Sequence, residues 1–210
     1  MQDMAPQRMR DYYDSGETKP IDFRIRQLTN LQQLVIKNET AIAAALHQDL
    51  HKSEEEAYVT ETGLLLAEIK HLLSRIRKWS APVSVKTTLA NQPSSSKVYR
   101  DPLGVILIIA PWNYPFQLVM IPLAAAIAAG NCVVVKPSEL APATADLIEK
   151  MIGEIFHPDY VRVIKGPGDK LIPPLLESFR FDHIFYTGST NVGREIYKMA
   201  AEKLIPVTLE

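Results

Sequence analysis

Apolar positions in the first eighty residues recur at intervals of three and four, which is the spacing of helices that bury one face. Stripes of this kind occur at 21–35, 42–50 and 65–76. They predict three helices, the third with a break near Gly63. Because such stripes form core or subunit contacts, we assign them no chemistry.

Polar residues between the stripes favour helix ends. Asn38 follows the first stripe, and we expect its side chain to cap the second helix. Ser53 and Glu56 have the spacing of a capping box, which predicts the start of the third helix.

Alternation and turn residues replace the helical pattern at 83–100. Apolar and polar positions alternate from Val83 to Leu89, and 91–96 is rich in turn formers. A β-hairpin fits this pattern, and a flexible linker fits the same composition equally well.

Beyond this segment, short apolar runs alternate with helical stretches. Strands are predicted at 103–110, 132–136, 161–164, 183–186 and 207–209. Helices are predicted at 116–129, 142–156, 170–178 and 190–201. With right-handed crossovers, this alternation gives a parallel sheet covered by helices on both faces.

The predicted fold class is therefore α/β, with a doubly wound, Rossmann-like parallel sheet. We expect an N-terminal helical segment at 1–82 that packs on the domain following it. A β-hairpin arm is expected at 83–100, and the α/β domain at 101–210.

Composition narrows the range of partners. The net charge is −1, from 23 basic and 24 acidic residues, so no strong field favours nucleic acid or an anionic membrane, and a small-molecule partner fits better. The uncharged stretch 103–135 is interrupted by proline, asparagine and glycine, which favours buried elements over a membrane span. The single cysteine, Cys132, and the absence of a signal-like N-terminus favour a reducing, cytoplasmic location.

Ligands of such sheets bind at the carboxyl ends of the strands, so the loops there are the candidate site. The loop after the first strand holds Asn113 between Pro111 and Pro115. An amide NH₂ is a neutral donor that is able to stabilise an oxyanion. Taken alone, a turn or cap role for Asn113 is the more common one.

A lysine and a carboxylate follow the second strand. Lys136 ends the apolar run, and Glu139 lies three residues later. Both side chains suit the hydroxyls of an adenosine ribose. A solvated ion pair at the strand end is the alternative.

The turn at 186–193 combines glycine with the start of a helix. We expect Gly188 to permit a tight turn, Ser189 to offer a hydroxyl, and the helix N-terminus to face a pyrophosphate. The spacing matches neither the three-glycine dinucleotide fingerprint nor a P-loop. A capping role for the Gly-Ser pair is the alternative.

Taken in order, these motifs resemble the aldehyde dehydrogenase superfamily. The motifs are PWNYPF at 111–116, AAGN at 128–131, KPSE at 136–139, FYTGS at 185–189 and PVTLE at 206–210. The similarity extends from about residue 20 to residue 210. DHIFYTG at 182–188 and the short N-terminus resemble the class 3 and fatty-aldehyde branch most.

The resemblance implies oxidation of an aldehyde through a cysteine thiohemiacetal, with hydride transfer to NAD or NADP and hydrolysis of an acyl-enzyme. Asn113 would donate its amide to the oxyanion, and Glu210 would be the base that activates water. It also implies a homodimer in which the segment 83–100 pairs between subunits.

The resemblance likewise implies the cofactor contacts. Lys136 and Glu139 would hold the ribose, and Glu139 would disfavour a 2′-phosphate, although the branch tolerates both cofactors. The remaining cofactor residues would be Trp112 at the nicotinamide end, Gly188 and Ser189 at the pyrophosphate, Val192 at the adenine, and Thr190, Asn191 and Gly193 in the same turn.

The nucleophilic cysteine of the family is expected beyond Glu210, so we expect this chain alone to be inactive. Cys132 opens an apolar strand, where a thiol has a raised pKa and packs as a small hydrophobe. The five histidines are scattered and predict no metal site. A nucleotide-binding module and a structural or assembly protein derived from the same fold are the alternative functions.

Overall fold

The computed structural model describes residues 5–210. Residues 1–4 of the predicted helical segment lie outside the described part. Five helices precede the main sheet: α1 (Ala5–Asp14), α2 (Ile21–Lys37), α3 (Glu39–Leu50), α4 (Glu54–Ala57) and α5 (Gly63–Ser80). A π-helical turn, Tyr58–Thr62, joins α4 to α5. Helix α1, which was not predicted, packs on the main sheet and buries Met9.

Two of the expected helix ends differ from the structure. The prediction that Asn38 caps α3 is wrong, because its amide Nδ2 instead donates to Leu34 O of α2 at 2.8 Å. The expected break near Gly63 is displaced by one residue: Gly63 begins α5, and the irregularity is the π-helical turn Tyr58–Thr62 directly before it. Ser53 Oγ accepts the Glu56 N–H at 3.1 Å, as the capping-box spacing predicted.

The segment after α5 forms two short antiparallel strands. Strands β1 (Val83–Val85) and β2 (Ser96–Val98) pair with Val83 opposite Val98. They make a separate two-stranded sheet, and the valines on these strands are largely exposed.

The main sheet has five parallel strands. They are β3 (Val105–Ile109), β4 (Cys132–Lys136), β5 (Val161–Val163), β6 (His183–Tyr186) and β7 (Val207–Leu209). The intervening helices are α6 (Gln117–Ala129), α7 (Pro142–Ile155), α8 (Gly168–Ser178) and α9 (Thr190–Glu202). The predicted α/β class with a parallel sheet is confirmed.

The strand order, β5-β4-β3-β6-β7, reverses at β3. The chain first builds outward from β3 through β4 to β5, and then returns to add β6 and β7 on the other side. Ligands of open α/β sheets bind where the order reverses, outside the carboxyl ends of the strands. The topology therefore directs attention to the loops that follow β3 and β6.

One hydrophobic core joins the helices to the sheet. Leu28, Leu31 and Ile69 of the N-terminal helices are fully buried in the same cluster as β3 and β4. The uncharged stretch 103–135 is the buried unit β3-α6-β4, as its interruptions predicted. Among the helices of residues 5–210, none has the length and apolar character needed to cross a membrane.

Candidate functional site

Four of the predicted site residues follow four neighbouring strands at one edge of the sheet. Asn113 lies in the loop after β3, Lys136 ends β4, Ser189 follows β6 and Glu210 follows β7. The register places Ile109 opposite both Lys136 and Tyr186, so these strands end at the same level.

Backbone hydrogen bonds continue past the strand ends and join these loops. Ala110 N donates to Lys136 O at 3.2 Å, and Thr187 N donates to Ile109 O at 3.0 Å. Gly188 N donates to Glu210 O at 3.2 Å. The edge is thus a continuous rim, on which the carboxylate of Glu210 is exposed next to the glycine turn.

The loop after β3 presents its polar and aromatic side chains outward. Asn113 is exposed, and so are its neighbours Trp112 and Tyr114. Pro115 is buried beneath them and fixes the chain before α6. The amide of Asn113 is therefore accessible to a ligand at the rim.

Lys52, which was not among the predicted site residues, contacts this loop on the side that faces the protein interior. Lys52 Nζ donates to Asn113 O at 3.2 Å and to Glu61 Oε1 at 2.6 Å. The sequence offers no signal for this pair, because Glu61 follows the acidic run Glu54–Glu56 and has no distinctive spacing from Lys52. Only the folded chain brings them to the rim.

Lys136 and Glu139 form an ion pair that is buried at one end and open at the other. The Lys136 side chain is 4% exposed and that of Glu139 38%. The alternative prediction, a solvated ion pair at the strand end, is thus wrong for Lys136, which is buried. Glu139 Oε1 also accepts the Gly168 N–H at 3.0 Å.

This environment sets the charge of the carboxyl. Burial by itself raises the pKa of Glu139, but hydrogen bonds from Lys136 and from Gly168 N–H outweigh it and lower the pKa below its ordinary value. Glu139 is therefore ionised at neutral pH and offers acceptors to a hydroxylated ligand.

Gly188 is needed for close packing rather than for the tight turn that we expected. Its φ is not in the left-handed region. A Cβ at this position would lie 2.4 Å from Tyr186 Oη, which donates to Ser189 O at 3.1 Å. Ser189 Oγ accepts the Val192 N–H at 3.4 Å and so caps α9.

The first turn of α9 is open on one side. Thr190, Asn191 and Val192 are exposed, whereas Gly193 is buried, and a Cβ there would lie 3.1 Å from Tyr186 Cε1. The helix N-terminus, with its free N–H groups and positive dipole end, is thus accessible at the rim.

The other candidates have no place at the rim. Cys132 is buried at the start of β4, and burial raises the pKa of its thiol to about 12. His47 and His51 have ring centroids 5.7 Å apart. No group of three or more metal-binding side chains occurs within the described range 5–210.

The rim residues fit a dinucleotide. The ionised carboxylate of Glu139 accepts hydroxyl groups, Lys136 donates beside it, and the N-terminus of α9 suits a phosphate. The missing side chain at Gly188 leaves room for the Tyr186 ring, which packs under the turn.

Known proteins are similar to this chain over almost its whole length. The 4,4'-diaponeurosporen-aldehyde dehydrogenase of Staphylococcus aureus is 43% identical over 199 residues, which are 95% of this chain and 43% of that protein. Family 3 member H1 of the aldehyde dehydrogenases in Arabidopsis thaliana is 44% identical over 202 residues, covering 96% of this chain and 41% of that protein. The resemblance to class 3 is confirmed.

Solved structures match as well. The substrate-bound state of Staphylococcus aureus AldH has a TM-score of 0.95 and 41% identity, covering 100% of this chain and 45% of that chain. Betaine aldehyde dehydrogenase from Staphylococcus aureus, in complex with NAD⁺, has a TM-score of 0.89 at 24% identity over 98% of this chain and 41% of its own, which indicates a shared fold.

The chain spans less than half the length of each of these relatives. The model of the aldehyde dehydrogenase family matches residues 3–210, almost the whole chain. The chain belongs to the aldehyde dehydrogenase family.

Proposed function

We propose that this chain is the cofactor-binding part of an NAD(P)-dependent enzyme that oxidises an aldehyde to a carboxylic acid. The observation that carries the proposal is the rim, where Asn113, Lys136, Ser189 and Glu210 follow four adjacent parallel strands. A dinucleotide needs ribose, pyrophosphate and nicotinamide contacts along one groove, and this rim lies where such grooves form.

The cofactor residues divide by chemistry. Lys136 and Glu139 hold the adenosine ribose, and Gly188 and Ser189 receive the pyrophosphate at the start of α9. Thr190, Asn191, Val192 and Gly193 complete the turn, with Val192 against the adenine and Trp112 at the nicotinamide end. When bound, the cofactor would supply the acceptor for the hydride that leaves the substrate. The ionised Glu139 repels a 2′-phosphate, which favours NAD over NADP.

The two catalytic residues act on the substrate. Asn113 donates its amide N–H to the oxyanion that forms when a cysteine thiolate adds to the aldehyde carbon. After the hydride has left, Glu210 removes a proton from the water that attacks the thioester, which releases the carboxylic acid and the thiol. Both side chains are exposed at the rim.

The proposal includes a homodimer that acts in the cytoplasm. One relative, from Canis lupus familiaris, is named as dimeric and NADP-preferring, and is 43% identical over 204 residues. The exposed valines of β1 and β2 suit pairing with another subunit.

Titration calorimetry with NAD⁺ and NADP⁺ tests the proposal. We expect the protein to bind NAD⁺, and Lys136→Met to weaken binding about tenfold or more because a charge-assisted hydrogen bond is lost. Lys198→Met is the matched control, since Lys198 pairs with Glu195 at the same three-residue spacing on the exposed face of α9. Equal binding by both variants would refute the assigned ribose site.

A further inference from the structure

A buried ion pair lies directly behind the loop that carries Asn113. Lys52 is 7% exposed and Glu61 is fully buried, and their charged groups are 2.6 Å apart. The two residues belong to the N-terminal helical segment, on either side of α4. Lys52 of this pair contacts the loop itself.

Each partner holds a different part of the loop. Lys52 Nζ donates to Asn113 O at 3.2 Å and lies 4.1 Å from the centre of the Tyr114 ring. Glu61 Oε2 accepts the N–H groups of Phe116 and Gln117 at 2.9 and 3.0 Å. The backbone is thus fixed immediately after Asn113 and again where α6 begins.

The backbone that carries Glu61 is not a regular α-helix. Glu61 lies in the π-helical turn Tyr58–Thr62, which changes the direction of the side chains between α4 and α5. Turns of this kind are rare in proteins, and those that do occur are often found at functional sites. Here the turn carries the carboxylate that receives two N–H groups of the helix behind the rim.

Stability alone does not explain a buried ion pair. Removing two charges from water opposes folding, and apolar residues of similar volume often stabilise a protein equally well. An ion pair does, however, hold a loop in one orientation through several directional bonds. The contacts of this pair are concentrated on the loop of Asn113.

We propose that Lys52 and Glu61 are positioning residues that hold the amide of Asn113 in the orientation needed to bind the oxyanion. This inference rests on the proposed function. Lys52 fixes the carbonyl of Asn113, and Glu61 fixes both Lys52 and the start of α6. The backbone that carries this amide therefore needs no rearrangement when the oxyanion forms.

The test compares variants of the proposed whole enzyme, in which this chain is joined to the part that supplies the cysteine, in the oxidation of benzaldehyde with NAD⁺. Lys52→Met and Glu61→Gln are each expected to lower kcat about 10- to 100-fold, because small displacements at a reacting centre have effects of this size. Glu61→Gln keeps an oxygen acceptor and a similar volume, so it remains informative if Lys52→Met folds poorly. Arg77→Met, which breaks the exposed pair with Asp22 between α5 and α2, is the control and should leave kcat unchanged.

Three further variants separate positioning from folding. In Asn113→Ala, which is expected to lower kcat about 100-fold, adding Lys52→Met should change kcat by less than about twofold. The neutral pair Lys52→Met with Glu61→Gln should recover thermal stability relative to Lys52→Met alone, yet keep the low kcat. The dissociation constant for NAD⁺ should stay unchanged throughout.

The outcomes that overturn the inference are distinct from failure of the proposed function. If kcat recovers together with stability in the neutral pair, or if Lys52→Met has its full effect in the Asn113→Ala background, the ion pair serves folding only. An unchanged kcat in Asn113→Ala would instead show that Asn113 has no role in the reaction, and would overturn both proposals.

Discussion

At the scale of single residues, the rim depends on what lies beneath its exposed side chains. Lys136 is buried while its partner Glu139 is open, and Tyr186 packs under the turn that carries Gly188 and Gly193. The absent side chains matter here as much as the charged ones do. Adding even a methyl group between the turn and Tyr186 should therefore weaken the binding of a ligand at the rim.

Gly188→Ala tests this dependence. The new Cβ would lie 2.4 Å from Tyr186 Oη, so the turn or the tyrosine must shift. Overpacking of this kind costs about 1–3 kcal/mol, and we expect the dissociation constant for NAD⁺ to rise about tenfold or more, measured by calorimetry. Gly153→Ala, where a Cβ meets nothing within 4 Å, should leave binding unchanged. A similar dissociation constant in both variants would contradict the assignment.

His183 gives the fold a dependence on pH. Burial lowers the pKa of His183 from 6.5, and its Nε2 is 3.1 Å from Thr208 Oγ1 of the neighbouring strand. As the pH falls through 6.5, the unfolded chain takes up a proton that the folded chain does not. The stability contributed by this group is therefore complete above the unfolded pKa and decreases as the pH falls toward the folded pKa.

We expect the free energy of unfolding in urea to decrease between about pH 7.5 and pH 5.5, with His183 contributing to the slope. His183→Gln should make this slope shallower, while His71→Gln, at an exposed position of α5, should leave it unchanged. Equal slopes for the two variants would exclude the buried histidine as the cause.

At the scale of elements, α2 and α6 are joined by one arginine. Arg24 of α2 is 6% exposed and donates to Thr18 O, Lys19 O and Ala128 O. It therefore satisfies a carbonyl at the end of α6, next to Gly130, whose φ of +92° ends that helix. The N-terminal helices thus fix both ends of α6, Arg24 at its end and Glu61 at its start.

Two glycine substitutions distinguish backbone strain from crowding at this junction. Gly16→Ala introduces a side chain at φ +81° into open space and should cost about 1–2 kcal/mol of unfolding free energy. Gly130→Ala adds a Cβ that would lie 2.7 Å from the Arg24 guanidinium. We therefore expect it to lower the free energy of unfolding by about 1 kcal/mol or more beyond the loss in Gly16→Ala. Chemical unfolding measures both. Equal losses would mean that Arg24 moves aside freely.

At the scale of the whole molecule, residues 5–210 present the polar rim of the sheet, and the one cysteine of the chain is unreactive. The one cysteine among its 210 residues is Cys132, which is buried and whose pKa is raised to about 12. A thiol in this state is not a nucleophile at neutral pH. The chemistry of the proposed reaction therefore needs a cysteine from outside these residues.

A protein consisting of these 210 residues alone should therefore produce no NADH from benzaldehyde and NAD⁺. Cys132 should react with iodoacetamide only after the chain unfolds in urea, because the thiolate is absent from the folded state. The urea-treated chain serves as the control for labelling. Steady NADH formation, abolished by Cys132→Ser, would contradict both expectations.

The elements of this fold were predictable because their signals are local. The runs 132–136, 183–186 and 207–209 became β4, β6 and β7 with the predicted bounds, and the helices between them began and ended within a few residues of the prediction. The irregular features were harder to predict from the sequence. Asn38 is a residue type that often caps helices, but its side chain bonds backward to Leu34 O of α2, since an asparagine amide donates to a carbonyl as readily as it accepts from an N–H.

The sequence by itself determined that the chain forms a parallel α/β sheet, and it identified the loops whose residues meet at the carboxyl edge, because periodicity and turn chemistry depend on near neighbours. Only the tertiary structure decided that β3 lies at the centre of the sheet, that Tyr186 requires the glycines above it, and that Lys52 and Glu61 lie behind Asn113. These features depend on contacts between residues far apart in the chain, which no local pattern records.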